Sequence, residues 1–182
     1  NLAYEACKER AADGSVSEAD LRNRGEIIGL GALKFMLLKF NPKTTIMFDP
    51  AASIRFEGDT GPYVQYAAAR IQSIMRKGLE RGIRPENADW SLLGRDEEKS
   101  LAVLAGGYPE ALQYAAGRRD CSSLAEYLLD LAKAFNRFYR ECPVLAAESE
   151  ALIRARLALA EAVRLILVDG LQTLTIRTPE AM

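Results

Sequence analysis

Tyr66, Arg70, Ser73 and Lys77 follow one another at spacings of four, three and four residues. On an α-helix, at about 100° per residue, that spacing lines them along a single stripe. An aromatic ring beside Arg and Lys suits an unstacked nucleic-acid base: the ring covers the face of the base while the cations take a phosphate or the base edge. Arg76 lies about a quarter turn to the far side of the stripe, and its long side chain could still converge on the same planar ligand. A second run, Asn136-Arg137-Phe138-Tyr139-Arg140, again interleaves a ring with cations. The same residue types serve plainer ends. Arg and Lys solvate the outer face of many helices, Tyr sits at core rims, and Tyr with Arg anchors protein interfaces. Spacing alone favours the plain reading.

Other chemistries are less well supported. The 182 residues contain no histidine, which removes Ser-His and Cys-His dyads and the commonest metal ligand together. Cys7, Cys121 and Cys142 are odd in number and far apart, so they suggest neither a disulfide framework nor a zinc site, and a reducing cytoplasm is the expected compartment. The glycines of "GLGALKF" follow no strand and lack a correctly placed third glycine, so close helix packing explains them better than a dinucleotide loop. Net charge is −1, so any phosphate-binding surface has to come from local clustering of Arg and Lys. Arg118-Arg119-Asp120 and Arg154 to Arg156 are expected to be solvated surface.

The elements that must position the two stripes are helices. Apolar residues recur at helical spacing nearly throughout, no segment alternates with period two, and 49% hydrophobic residues suffice for a core. The expectation is an all-α helical bundle. Ser17 and Asp20 form a capping-box pattern that opens a helix reaching about Phe40. Asp49-Pro50 starts a short helix, and Thr60 with Pro62 starts the helix of the first stripe, which ends near Gly78 to Gly82. Its core face is Val64, Ala67, Ala68, Ile71, Ile74 and Met75. Two short helices are expected to flank Gly106-Gly107-Tyr108-Pro109, and another runs from about Ser123 to Arg140 over Leu124, Tyr127, Leu128, Leu131, Phe135 and Phe138. The last runs from about Glu148 to Val168, with Gly170 as its expected cap. The two stripe-bearing helices are expected to be neighbours. No window approaches a membrane span.

Four segments, "IIGLGALKFMLLK", "FDPAASIRFEGDTGPYVQYAAARIQSIMRK", "LLDLAKAFNRFYRECPVL" and "RARLALAEAVRLILVDGLQTLTIRTPEAM", lie in an order similar to the C-terminal part of arginyl-tRNA synthetases, a class I aminoacyl-tRNA synthetase family. "GALKF" also resembles the signature after which that family's helical anticodon-binding domain, the DALR type, is named.

The resemblance implies a fragment of a longer enzyme. Neither the HIGH nor the KMSKS signature is present, so the chain by itself is expected to be inactive. ATP, with magnesium, would belong to the full-length arginine–tRNA ligase and no cofactor to this part. Residues 1–22 are expected to be a connector leaving the catalytic domain, and residues 23–182 the anticodon-binding domain. The resemblance places Tyr66, Arg70 and Arg76 on the first anticodon-contacting helix, Tyr139 on the later one and Met182 at the chain end; Lys77 and Asn136 join them as candidates. Implied partners are an arginine tRNA and the catalytic domain of the same chain, in a cytoplasmic monomer with no membrane. The alternative is a non-catalytic helical protein-interaction module. Asp59 stands where the family often has Asn, and Ala181 where it usually has a cation.

Overall fold

The structure, a computed structural model, describes residues 2–10 and 16–179. Among these, the regular elements are α1 (Leu2–Arg10), α2 (Glu18–Leu38), α3 (Pro50–Ser53), α4 (Gly61–Glu80), α5 (Asp96–Gly106), α6 (Tyr108–Arg118), α7 (Ser122–Glu141) and α8 (Glu150–Thr173), with a 3-10 turn at Trp90–Leu92. The all-α expectation holds.

Local chemistry accounts for most helix starts. Ser17 Oγ accepts from the Asp20 N–H at 3.1 Å, but the Asp20 carboxylate takes the Ser17 hydroxyl at 2.7 Å instead of a backbone donor, so half of the expected capping box forms. Asp49 Oδ1 accepts from the N–H groups of Ala51 and Ala52, with Pro50 at the first helical position. Thr60 Oγ1 accepts from Tyr63 N at 3.2 Å and opens α4.

The core lies among α4, α7 and α8. Val64, Ala67 and Ile71 of α4, Leu131, Phe135 and Phe138 of α7, and Leu157, Val163 and Leu167 of α8 are all at 0% exposure. Two predicted apolar stripes thus meet, and α4 and α7 are neighbours as expected. At the other side of α4 two glycines set the crossing with α2. A Cβ on Gly61 would stand 2.8 Å from the Gly31 carbonyl oxygen and 2.7 Å from Phe35 Cβ, a separation only a bare backbone permits. This is the packing role expected for the "GLGALKF" glycines.

Two expectations are corrected. Gly170 does not cap the last helix; it is buried inside α8, where a Cβ would meet Leu128 Cδ2 at 2.5 Å. The close approach of α7 requires the glycine. The helix stops beyond it: Thr175 turns to φ 60°, and the N–H groups of Thr175 and Ile176 take the carbonyls of Gln172 and Leu171, both at 2.8 Å.

Arg156 is not surface. It is 2% exposed, and its Nε donates to Glu98 Oε1 at 2.6 Å, because α5 packs over this part of α8. Arg154 stays near the surface and pairs with Glu150 at 2.9 Å. Arg118 lies over the Tyr114 ring at 5.4 Å. No helix among the described residues is long and apolar enough to cross a membrane.

Candidate nucleic-acid interface

Burial of the two apolar stripes rotates the flanking residues of α4 and α7 toward each other. Arg70, on α4, is the centre of the result. Its guanidinium carbon lies 4.5 Å from the centroid of the Tyr66 ring and 5.3 Å from that of Tyr139, and its Nη1 donates to Asn136 Oδ1 at 2.7 Å. The cation is thus flanked by an aromatic ring from each helix. Each ring is backed in turn: Phe56 meets Tyr66 edge-on at 6.3 Å, and Phe135 stacks with Tyr139 at 6.1 Å and 25°. Tyr139 keeps 40% of its surface exposed.

From this cluster a groove of about 440 Å³ runs toward the C-terminal end of α4. It is lined by Arg70, Ser73, Lys77 and Arg81 on one side and by Tyr139 and the Pro143–Ala146 segment on the other. Arg81 crosses it to donate to the Leu145 carbonyl at 2.8 Å. A guanidinium has five donors, so Arg70 retains N–H groups beyond the one given to Asn136. The exposed part of the Tyr139 ring, a partly used guanidinium and two further cations can contact a planar base, donate to its edge and attract a phosphate.

Asp59, the unusual residue of "GDTG", lies in the turn before α4, three residues after Phe56. Its carboxylate binds Lys133 of α7 at 2.8 Å and its carbonyl accepts from Lys39 at 2.7 Å. The Lys133 ammonium is held above its ordinary pKa first by the hydrogen bond to Asp59. Asp59 therefore ties the turn before α4 to α7.

The structure brings together Tyr66, Arg70, Asn136 and Tyr139, with Lys77 farther along the same groove. It does not bring Arg76 to them. Arg76 lines a separate groove of about 720 Å³ with Arg24, Arg84 and Arg164, and lies 4.0 Å from Glu80. Met182 and Ala181 lie outside the described residues. The segment leading to them is laid back over the bundle: Lys34 donates to the Thr175 carbonyl at 2.6 Å and Gln65 to that of Arg177 at 2.7 Å. Sequence reasoning missed Phe56, Arg81 and the Pro143–Ala146 wall. Arg81 continues the stripe four residues beyond Lys77, so helical spacing points to it; the wall lies past a helix stop, where spacing carries no signal.

The two stripe-bearing helices of this all-α bundle thus hold rings and cations along one groove. The family model described as the DALR anticodon binding domain matches residues 64–182, and the chain belongs to that family. Arginine–tRNA ligase of Treponema denticola is 38% identical to it over 188 residues, covering 100% of this chain and 32% of that protein. The enzyme of the same name from Parabacteroides distasonis is 34% identical, over 100% of this chain and 31% of its own length. Among solved structures, Thermus thermophilus arginyl-tRNA synthetase matches with a TM-score of 0.88 at 36% identity, over 99% of this chain and 30% of that one. Plasmodium falciparum arginyl-tRNA synthetase matches in fold, with a TM-score of 0.84 at 24% identity. The chain spans about a third of the length of the curated relatives it matches.

Proposed function

We propose that this chain is the part of an arginine–tRNA ligase that reads the anticodon stem and loop of an arginine tRNA, in support of ATP-dependent attachment of arginine by the full-length enzyme. The observation that carries the reading is Arg70, set between Tyr66 and Tyr139 and bonded to Asn136 at the head of a cationic groove. Arginine codons share a middle G, so their anticodons share a central cytosine, the base a common surface would read. Tyr139, 40% exposed, and Tyr66 beside it offer aromatic surface to the base, while Arg70 and Asn136 offer groups to its edge. Lys77 suits a phosphate on the same side, and Arg76 one on the far side of α4. Met182 is proposed to close the site from the chain end.

Residues 1–22, which take in α1 and the first residues of α2, are proposed as the connector to a catalytic domain, and residues 23–182 as the anticodon-binding domain. Arginine activation, with its ATP and magnesium, belongs to that catalytic domain. A cytoplasmic monomer is the corresponding state of the enzyme.

The test is a fluorescence titration with an arginine tRNA and with the same tRNA altered at its central anticodon base, repeated over a range of salt. Tighter binding of the unaltered tRNA, with log K falling linearly against log salt, is expected. A protein-interaction module would bind neither, and equal affinity for both would remove base reading from the proposal.

A further inference from the structure

The groove wall opposite α4 is the turn that follows α7, and side chains from elsewhere in the bundle hold its backbone. Arg95, at the head of α5, donates to the Glu141 carbonyl at 2.9 Å. Arg156 of α8 donates to the Pro143 carbonyl at 2.9 Å, and Arg81, at the end of α4, to that of Leu145 at 2.8 Å. Three guanidinium groups from three helices thus grip carbonyls at alternate residues. The side chains between them, Cys142 and Val144, are buried at 0% and 3% exposure and pin the turn from inside.

Glu98 links two of the three grips. It is 1% exposed; Oε1 accepts from Arg156 Nε at 2.6 Å and Oε2 from the Arg95 N–H at 2.8 Å. Stability alone does not call for such a pair, since buried ion pairs can often be exchanged for apolar residues at no loss. What an apolar pair could not supply is a fixed donor aimed at the Pro143 carbonyl. Edge readout of a base depends on atoms held to within about half an ångström, whereas attraction of a phosphate does not.

We infer that Arg156, oriented by Glu98, is a positioning residue for base discrimination: it sets the spacing between the Pro143–Ala146 wall and the Arg70–Tyr139 face. The inference rests on the anticodon-reading function proposed above. Arg156 is buried, so it acts through the wall and not by touching RNA.

The test uses the 182-residue chain carrying Glu98→Gln with Arg156→Met, which removes both charges together and avoids leaving one unpaired. Binding is measured to two anticodon stem-loop RNAs that differ only in the central base, cytosine or uridine, with the folded fraction taken from circular dichroism. The ratio of the two affinities should fall about tenfold, while the salt dependence stays that of the parent. A purely structural role would lower the melting temperature and the folded fraction but leave the ratio per folded molecule unchanged, and that result overturns the inference. Arg156→Lys, which keeps a cation beside Glu98 but loses the guanidinium fork that also reaches the Pro143 carbonyl, is the second variant. It should lower the ratio in the same direction, and if the double variant does not fold, an unchanged ratio here overturns the inference. Arg70→Ala separates the two levels: if it too leaves both affinities at parental values, the anticodon-reading function itself is wrong.

Discussion

Arg70 of α4 and Asn136 of α7 are joined by a 2.7 Å hydrogen bond across the mouth of the groove. The bond holds one edge of a guanidinium that two rings flank, which fixes its plane before any ligand arrives. Preorganisation of this kind lowers the ordering cost of binding.

Arg70→Ala should therefore weaken binding of an arginine tRNA by at least about tenfold, the loss of one charge-assisted contact, and should narrow the preference for a central cytosine. Arg154→Ala, which removes only an exposed pair with Glu150, should bind as the parent does. Parallel titrations of both variants decide it, and parental binding by Arg70→Ala would refute the assignment.

Tyr139 is stacked on Phe135 yet 40% exposed, so its two possible roles separate on substitution. If it stacks on a base, Tyr139→Ala should cost about 1–3 kcal/mol of RNA binding, and Tyr139→Phe much less, with little change in unfolding midpoint. A variant that loses stability but binds normally when folded would reduce Tyr139 to packing. Thermal melts and titrations on the same two proteins supply the comparison.

Gly170→Ala should destabilise the fold although alanine favours a helix by about 1 kcal/mol. The new Cβ would stand 2.5 Å from Leu128 Cδ2, 3.0 Å from Cδ1 and 3.2 Å from Cγ, so the whole Leu128 side chain, at 0% exposure, has to shift within the core. Overpacking of this kind costs about 1–3 kcal/mol, so packing decides the sign. Urea unfolding of the variant would show it, and a rise in midpoint would contradict the closeness of α7 and α8.

Tyr127 donates its hydroxyl to the Leu104 carbonyl at 2.7 Å, and burial first, then Glu110, pushes its pKa from 10.0 up to about 12. Tyr108 is raised as well, first by burial and then by its bond to Asp169. A phenol with a raised pKa in the folded state contributes stability that is complete below pH 10.0 and is lost as pH climbs through the folded value. Unfolding free energy should decline between about pH 10 and 12, and less steeply in Tyr127→Phe. A decline of the same slope in that variant would assign the effect to other groups.

Much of this was legible before any fold. Thr60 with Pro62 and Asp49 with Pro50 announced their helices because capping is a matter of a few neighbouring residues. The helical period sorted Val64, Ile71 and Ile74 from Tyr66 and Arg70 for the same local reason, and the two buried stripes left α4 and α7 little choice but to meet. The cluster of Tyr66, Arg70, Asn136 and Tyr139 follows from that meeting. What a helical period cannot say is which distant element covers a given face. Arg156 reads as a surface cation until Glu98, 58 residues away in the chain, is folded over it. Gly170 reads as a cap until Leu128 arrives beside it, and Arg76 reads as a partner of Arg70 until α4 turns it into another groove. Helix boundaries and faces were set by residues within a turn or two of each other. The burial of a charge, the need for a glycine and the far wall of the groove were set by long-range crossings, which only the tertiary structure decides.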